Sequence, residues 1–107
     1  MGRPIIEHQA VAFRLVEAKA KLEAARQLTL HAARLKDSGL PALEAACMAK
    51  LLAAETAEAV CSVAIQTLGG YGYLADYPVE RIYRDVRVCQ IYEGTGDVQK
   101  MIVARGL

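Results

Sequence analysis

The sequence predicts an all-α fold, with two long antiparallel helices followed by two short C-terminal ones. Three observations carry this. Alanine and leucine are abundant, whereas aromatic residues make up only 6% and strong β-formers are not gathered in alternating blocks. No proline or glycine falls between Ile5 and Lys36, and apolar residues recur there at helical spacing. Glycine-bearing breaks then divide the rest of the chain into segments of helical length.

Pro4 suits the first turn of a helix, where its missing N–H costs nothing, so the first helix is expected from Ile5 to about Lys36. Ile6, Ala10, Phe13, Val16 or Glu17, Ala20 and Ala24 drift around one face, joined by Leu15, Leu22, Leu28 and Leu35. Asp37-Ser38-Gly39 ends it. Pro41 fits the start of a second helix, with Glu44 in the favourable first turn and an end near Thr67 or Leu68. Ala45, Met48, Leu52, Ala59, Val63 and Leu68 form its apolar set, and Lys50, Glu55 and Glu58 its wetter side. So short a connection makes the two long helices fold back on one another.

Gly69-Gly70-Tyr71-Gly72-Tyr73 reads first as a helix stop and loop, and second as a turn facing a phosphate or cofactor. It is not a dinucleotide fingerprint, because no strand precedes it and the spacing differs. Asp76 can cap a short helix from Pro78 to about Val88, where Glu80–Arg84 and Arg81–Asp85 have ion-pair spacing. Gly94-Thr95-Gly96 interrupts the chain again. Thr95 caps a last helix to about Ala104, packed through Val98, Met101 and Ile102.

The charge balance, 13 basic against 12 acidic residues, gives no general field for nucleic acid or an anionic membrane. No window supplies 18 uncharged apolar residues, so a membrane span is not expected. No secretory signal is read at Met1–His8, and Ile6 stands where a myristoylation motif needs Ser or Thr. Cys47, Cys61 and Cys89 are odd in number and widely spaced. They read as buried free thiols of a reducing compartment, with no metal site expected.

The C-terminal half carries the most specific pattern. Gln66-Thr67-Leu68-Gly69-Gly70-Tyr71-Gly72, Asp76-Tyr77-Pro78-Val79-Glu80-Arg81, Tyr83-Arg84-Asp85 and Ile91-Tyr92-Glu93-Gly94-Thr95 follow one another in order. Together they resemble the C-terminal helical domain of the flavin-dependent acyl-CoA dehydrogenases. The stretch Gly2–Gln9 resembles the start of that domain's long second helix. The resemblance covers essentially the whole chain and implies an incomplete up-and-down four-helix bundle. The bundle's first helix, a middle β domain and an N-terminal helical domain would belong to a longer parent, so the isolated chain is expected to be inactive.

The resemblance implies α,β-dehydrogenation of an acyl-CoA thioester. A carboxylate removes the pro-R α-proton while a hydride leaves Cβ for N5 of FAD. Glu93 matches the family's base, which suits a carboxylate that bound substrate shields from water. Its backbone N–H and a ribityl hydroxyl of FAD would stabilise charge on the thioester oxygen. Tyr92 and Gly94 match substrate-side positions. Thr95 and Asp97 match FAD-side positions, although Asp97 departs from the glutamine usual there. Gln66, Gly69 and Gly70 match contacts to the adenosine and pyrophosphate side of FAD across a subunit interface. His8 is expected in interface or surface packing. Arg81, Arg84 and Asp85 are expected in a structural ion-pair network.

The implied partners are acyl-CoA, further copies of the chain in a homo-oligomer, and an electron-transfer flavoprotein. The implied location is the cytoplasm, or the mitochondrial matrix for a eukaryotic parent. Two alternatives stand beside this reading: a flavin-dependent acyl-CoA oxidase-like relative, and a non-catalytic helical self-association module.

Overall fold

The computed structural model describes residues 2–107, which contain helices and no strand. They fold as α1 (Gln9–Asp37), α2 (Leu43–Leu68), α3 (Gly70–Tyr73), α4 (Val79–Val86) and α5 (Gly96–Ala104), with 3₁₀ turns at Ile5–Glu7 and Arg87–Gln90. The all-α expectation holds, with two long antiparallel helices. α3 is an addition to the expected pattern, because the glycine segment closes one helical turn. None of these helices is long and apolar enough to cross a membrane.

α1 begins four residues later than expected. Pro4 instead opens the 3₁₀ turn, with Glu7 N–H donating to the Pro4 carbonyl (3.1 Å). His8 is extended (φ −83°, ψ 122°) and serves as the N-cap. The Arg3 guanidinium donates to His8 Nδ1 at 3.2 Å, tying that turn to the helix start. The far end closes as expected at Ser38-Gly39. Gly39 is left-handed (φ 69°), its N–H donates to Lys36 O and Leu40 N–H to Leu35 O. These paired bonds satisfy carbonyls the helix leaves open. Pro41 lies just outside α2 rather than in its first turn, and Ala42 is the N-cap.

The contact between α1 and α2 is built from small residues. Ala18, Ala25 and Ala32 are buried at seven-residue spacing, with Leu28 and Leu35 packed beside Ala32, Ala45 and Ala49. This corrects the expected face. Phe13 and Val16 remain 58% and 64% exposed, and Ile6 and Leu22 are also exposed. Alanines at the crossing let two backbones approach closely, and that close approach leaves the bulky side chains of the neighbouring stripe outside.

α2 is the central element, lying against α1 on one side and against α3, α4 and α5 on others. The 3₁₀ turn after α4 is pinned to it by charge. Arg87 donates to Glu58 (2.8 Å), and Gln90 donates to the same carboxylate and to Ala54 O. Glu58 thus reaches protein partners instead of marking a wet face, and so does Lys50, whose Nζ donates to Gly94 O. The expected pairs Glu80–Arg84 and Arg81–Asp85 do not form among the described residues, and Asp76 makes no cap bond to α4. Thr95 does cap α5, accepting from Val98 N–H at 3.5 Å, but the expected packing face does not hold. Val98 and Met101 are exposed, Ile102 is half-buried, and the buried residue of α5 is Gln99.

Gly72 is buried for a specific reason. A Cβ there would lie 2.6 Å from the Ile65 carbonyl oxygen, so only glycine lets α3 fold back on the end of α2. Cys47, Cys61 and Cys89 are free thiols, but only Cys47 is buried as expected; Cys61 and Cys89 are half-buried, and partial burial pushes the Cys61 thiol up.

Candidate functional site

Between the Arg87–Gln90 turn and α5 the chain reverses through two left-handed residues. Glu93 has φ 52° and Gly94 φ 91°. Glycine adopts this region freely, whereas a glutamate there bears strain of order 1 kcal/mol. The two carbonyls of the reversal face donors. Gln99, from the first turn of α5 and only 7% exposed, donates Nε2 to Gly94 O at 3.2 Å and to Glu93 O at 3.5 Å. Lys50, on α2, donates Nζ to the same Gly94 carbonyl.

Beside this reversal lies a cavity of about 350 Å³, lined by Lys50, Ala53, Ala54, Ala57, Cys89, Tyr92 and Glu93. Ala53, Ala54 and Ala57 of α2 give it an apolar wall, and Lys50, Cys89, Tyr92 and Glu93 supply its polar groups. The Glu93 carboxylate makes no hydrogen bond or ion pair among the described residues, and its N–H joins none of their backbone hydrogen bonds. The Tyr92 hydroxyl and Cys89 Sγ are 3.4 Å apart. That hydrogen bond, then the neighbouring thiol, holds the Tyr92 phenol above its ordinary range, with smaller contributions from burial and from Glu93 and Asp85. The site thus offers an unpaired carboxylate and an unused N–H at the edge of an apolar cavity. That set can take a proton from a carbon acid and receive developing negative charge.

The other singled-out residues are distributed more widely. Gly94 is adjacent to the cavity in sequence, but the space its absent Cβ leaves is filled by Gln99 Nε2, 2.6 Å from that position. Thr95 spends its hydroxyl on the α5 cap. Asp97 is in the first turn of α5, its side chain 91% exposed and 3.5 Å from Lys100 Nζ. Gln66 borders a second cavity of about 390 Å³ with Ser62, Ile65, Tyr73, Glu80 and Tyr83. Gly69 (φ 61°) and Gly70 follow it, with open space around both. Gln66 lies sixteen positions beyond Lys50 on α2, about 24 Å along the helix.

The family profile described as "Acyl-CoA dehydrogenase, C-terminal domain" matches residues 1–107. The chain belongs to the acyl-CoA dehydrogenase family. It is 50% identical over 106 residues to a 3-(aryl)acrylate reductase of Clostridium sporogenes, covering 99% of this chain and 28% of that protein. It is 47% identical over 103 residues to the human mitochondrial short-chain specific acyl-CoA dehydrogenase, covering 96% of this chain and 25% of that one. The butyryl-CoA dehydrogenase structure from Megasphaera elsdenii superposes with a TM-score of 0.96 at 42% identity, covering 99% of this chain and 28% of that one. The chain therefore spans about a quarter of the length of the relatives it matches.

Sequence reasoning places Glu93, Tyr92 and Gly94 within the acyl-CoA dehydrogenase motif but misses Lys50 and Gln99. Lys50 reads as part of the wetter side of α2, and nothing in the sequence reading singles out Gln99. The residues expected to pack beside Gln99 do not mark it, since Val98 and Met101 are 43% and 61% exposed while Gln99 itself is buried. A buried amide there needs a partner, and the open carbonyls of a nearby reversal supply one.

Proposed function

We propose that this domain serves the FAD-dependent α,β-dehydrogenation of an acyl-CoA thioester, with Glu93 removing the α-proton. The observation that carries the reading is the unpaired Glu93 carboxylate at the edge of the cavity walled by Ala53, Ala54 and Ala57. An acyl chain against these alanines would bring Cα toward the carboxylate. Tyr92 would close the side beside it, and Gly94 would border substrate through its backbone only. The unused Glu93 N–H would donate to the thioester oxygen as charge develops there.

The residues expected to hold FAD fit it unevenly. Gln66 supplies an amide that both donates and accepts, and the open space at Gly69 and Gly70 lets a nucleotide approach the backbone. Thr95 offers its remaining hydroxyl capacity. Asp97 fits least well: an exposed carboxylate adds repulsion toward phosphate and donates nothing, so Lys100 beside it would have to offset the charge. When bound, FAD accepts the hydride equivalent that leaves Cβ.

An electron-transfer flavoprotein is the proposed acceptor, and a homo-oligomer the proposed assembly. The proposed location is the cytoplasm, or the mitochondrial matrix in a eukaryote. The test is anaerobic titration of the longest natural reading frame with acyl-CoAs while following flavin absorbance. Bleaching with a preferred acyl length is expected. Glu93→Gln should retain acyl-CoA binding and lose bleaching by roughly 100-fold or more. Bleaching at the parent rate in that variant would remove Glu93 as the base.

A second reading, a non-catalytic self-association module, is favoured by the exposed apolar residues Ile6, Phe13 and Val16. It predicts concentration-dependent assembly and a flavin-free natural protein.

A further inference from the structure

We infer that Lys50 and Gln99 are positioning residues that hold the Glu93 carboxylate in its working direction, an inference that rests on Glu93 being the base. A glutamate at φ 52° does not remain there by preference, so something outside the residue must hold the backbone. Two donors from different elements do so. Gln99 Nε2 reaches both Glu93 O and Gly94 O from α5, and Lys50 Nζ reaches Gly94 O from α2.

The clamp is specific in three ways. Gln99 is buried, so its amide would lose its hydrogen-bond partners if the reversal turned over. Gly94 admits the clamp because a Cβ would sit 2.6 Å from Gln99 Nε2. The Lys50 ammonium makes no ion pair among the described residues, and its recorded hydrogen bond is the charge-assisted one to Gly94 O. Lys50 also lines the cavity with Glu93, so α2 sets the acyl wall and the direction of the base together. Without the clamp, residue 93 would relax toward right-handed backbone and swing its carboxylate off the line to Cα. Binding would persist and proton abstraction would slow.

The test uses the full flavin-loaded enzyme carrying Lys50→Met, Lys50→Arg, Gln99→Met or Glu93→Gln. Stopped-flow bleaching gives the limiting rate per bound flavin, and its substrate dependence gives the acyl-CoA dissociation constant. In Lys50→Met and Gln99→Met the limiting rate should fall roughly 100-fold, the scale expected for a base displaced by about 1 Å, while the dissociation constant changes by less than about threefold. Lys50→Arg, which keeps a charged donor, should recover most of the lost rate. An α-deuterated substrate should show a larger isotope effect in the two Met variants, because proton removal has become slower.

If Glu93→Gln is inert while both Met variants keep the parent rate with only a lower melting temperature, the clamp is packing alone and the inference falls. If Glu93→Gln bleaches normally, the base assignment falls and the inference with it.

Discussion

Glu93 combines an unpaired carboxylate with a backbone angle that favours glycine, so stability and chemistry pull apart at this residue. Glu93→Gly should raise stability by about 0.5–1 kcal/mol, because glycine takes φ 52° without a Cβ clash, and should abolish flavin bleaching. Thermal melting beside anaerobic titration checks both halves, and a lower melting temperature would mean the angle carries no strain. The carboxylate was legible in the sequence because the Tyr92-Glu93-Gly94-Thr95 motif is local. Lys50 was not. Its hydrogen bond to Gly94 spans 44 residues, and no periodicity or short motif encodes which carbonyl a distant ammonium meets. Gln99 was not legible either, because the apolar residues beside it, Val98 and Met101, stay exposed and the amide is buried against a reversal that only the fold forms.

Among the elements, helix existence followed from uninterrupted apolar segments, and the ends from Gly39 and Thr95. The packing face of α1 did not. Its apolar residues are more numerous than one contact can bury, and the alanines that make the contact carry a weak hydrophobic signal. The charged face of α4 misled in another way. Four-residue spacing permits pairs within a helix, yet none forms on α4 among the described residues, and the ion pair of this region runs from Arg87 in the following turn to Glu58 on α2. The glycine segment has the composition of a loop, whereas Gly72 packs one helical turn onto Ile65. Gly72→Ala should cost about 1–3 kcal/mol, since the Ile65 backbone cannot yield as a side chain would. Gly70→Ala, with open space and no positive φ, should be neutral or stabilising by up to about 1 kcal/mol. Denaturant unfolding of the two variants separates close packing from general glycine flexibility; equal losses would refute the Gly72 account.

The molecule as a whole is thinly packed. Its accessible surface is 7847 Å², against about 5,800 Å² for a compact protein of 11.6 kDa. Its radius of gyration is 16.7 Å, against about 13 Å for a compact chain of this length. Among the described residues the buried hydrophobics are alanines and one cysteine, and no large side chain is fully enclosed. The 107-residue chain alone should therefore bind an apolar dye, melt broadly below about 45 °C and retain no stoichiometric FAD after gel filtration. A sharp transition above about 60 °C would show that α1 and α2 suffice as a core.

The central helix has one further consequence. Lys50 and Gln66 stand on a single rod, so their separation and relative bearing are fixed by residue count. Inserting one residue between them would lengthen the rod by about 1.5 Å and rotate one end by about 100° against the other. A residue added to the Ser38–Ala42 connection would leave that alignment intact. α2 thus acts as a ruler with a keyed twist, tolerant of exchanged letters along its wall but not of a changed count.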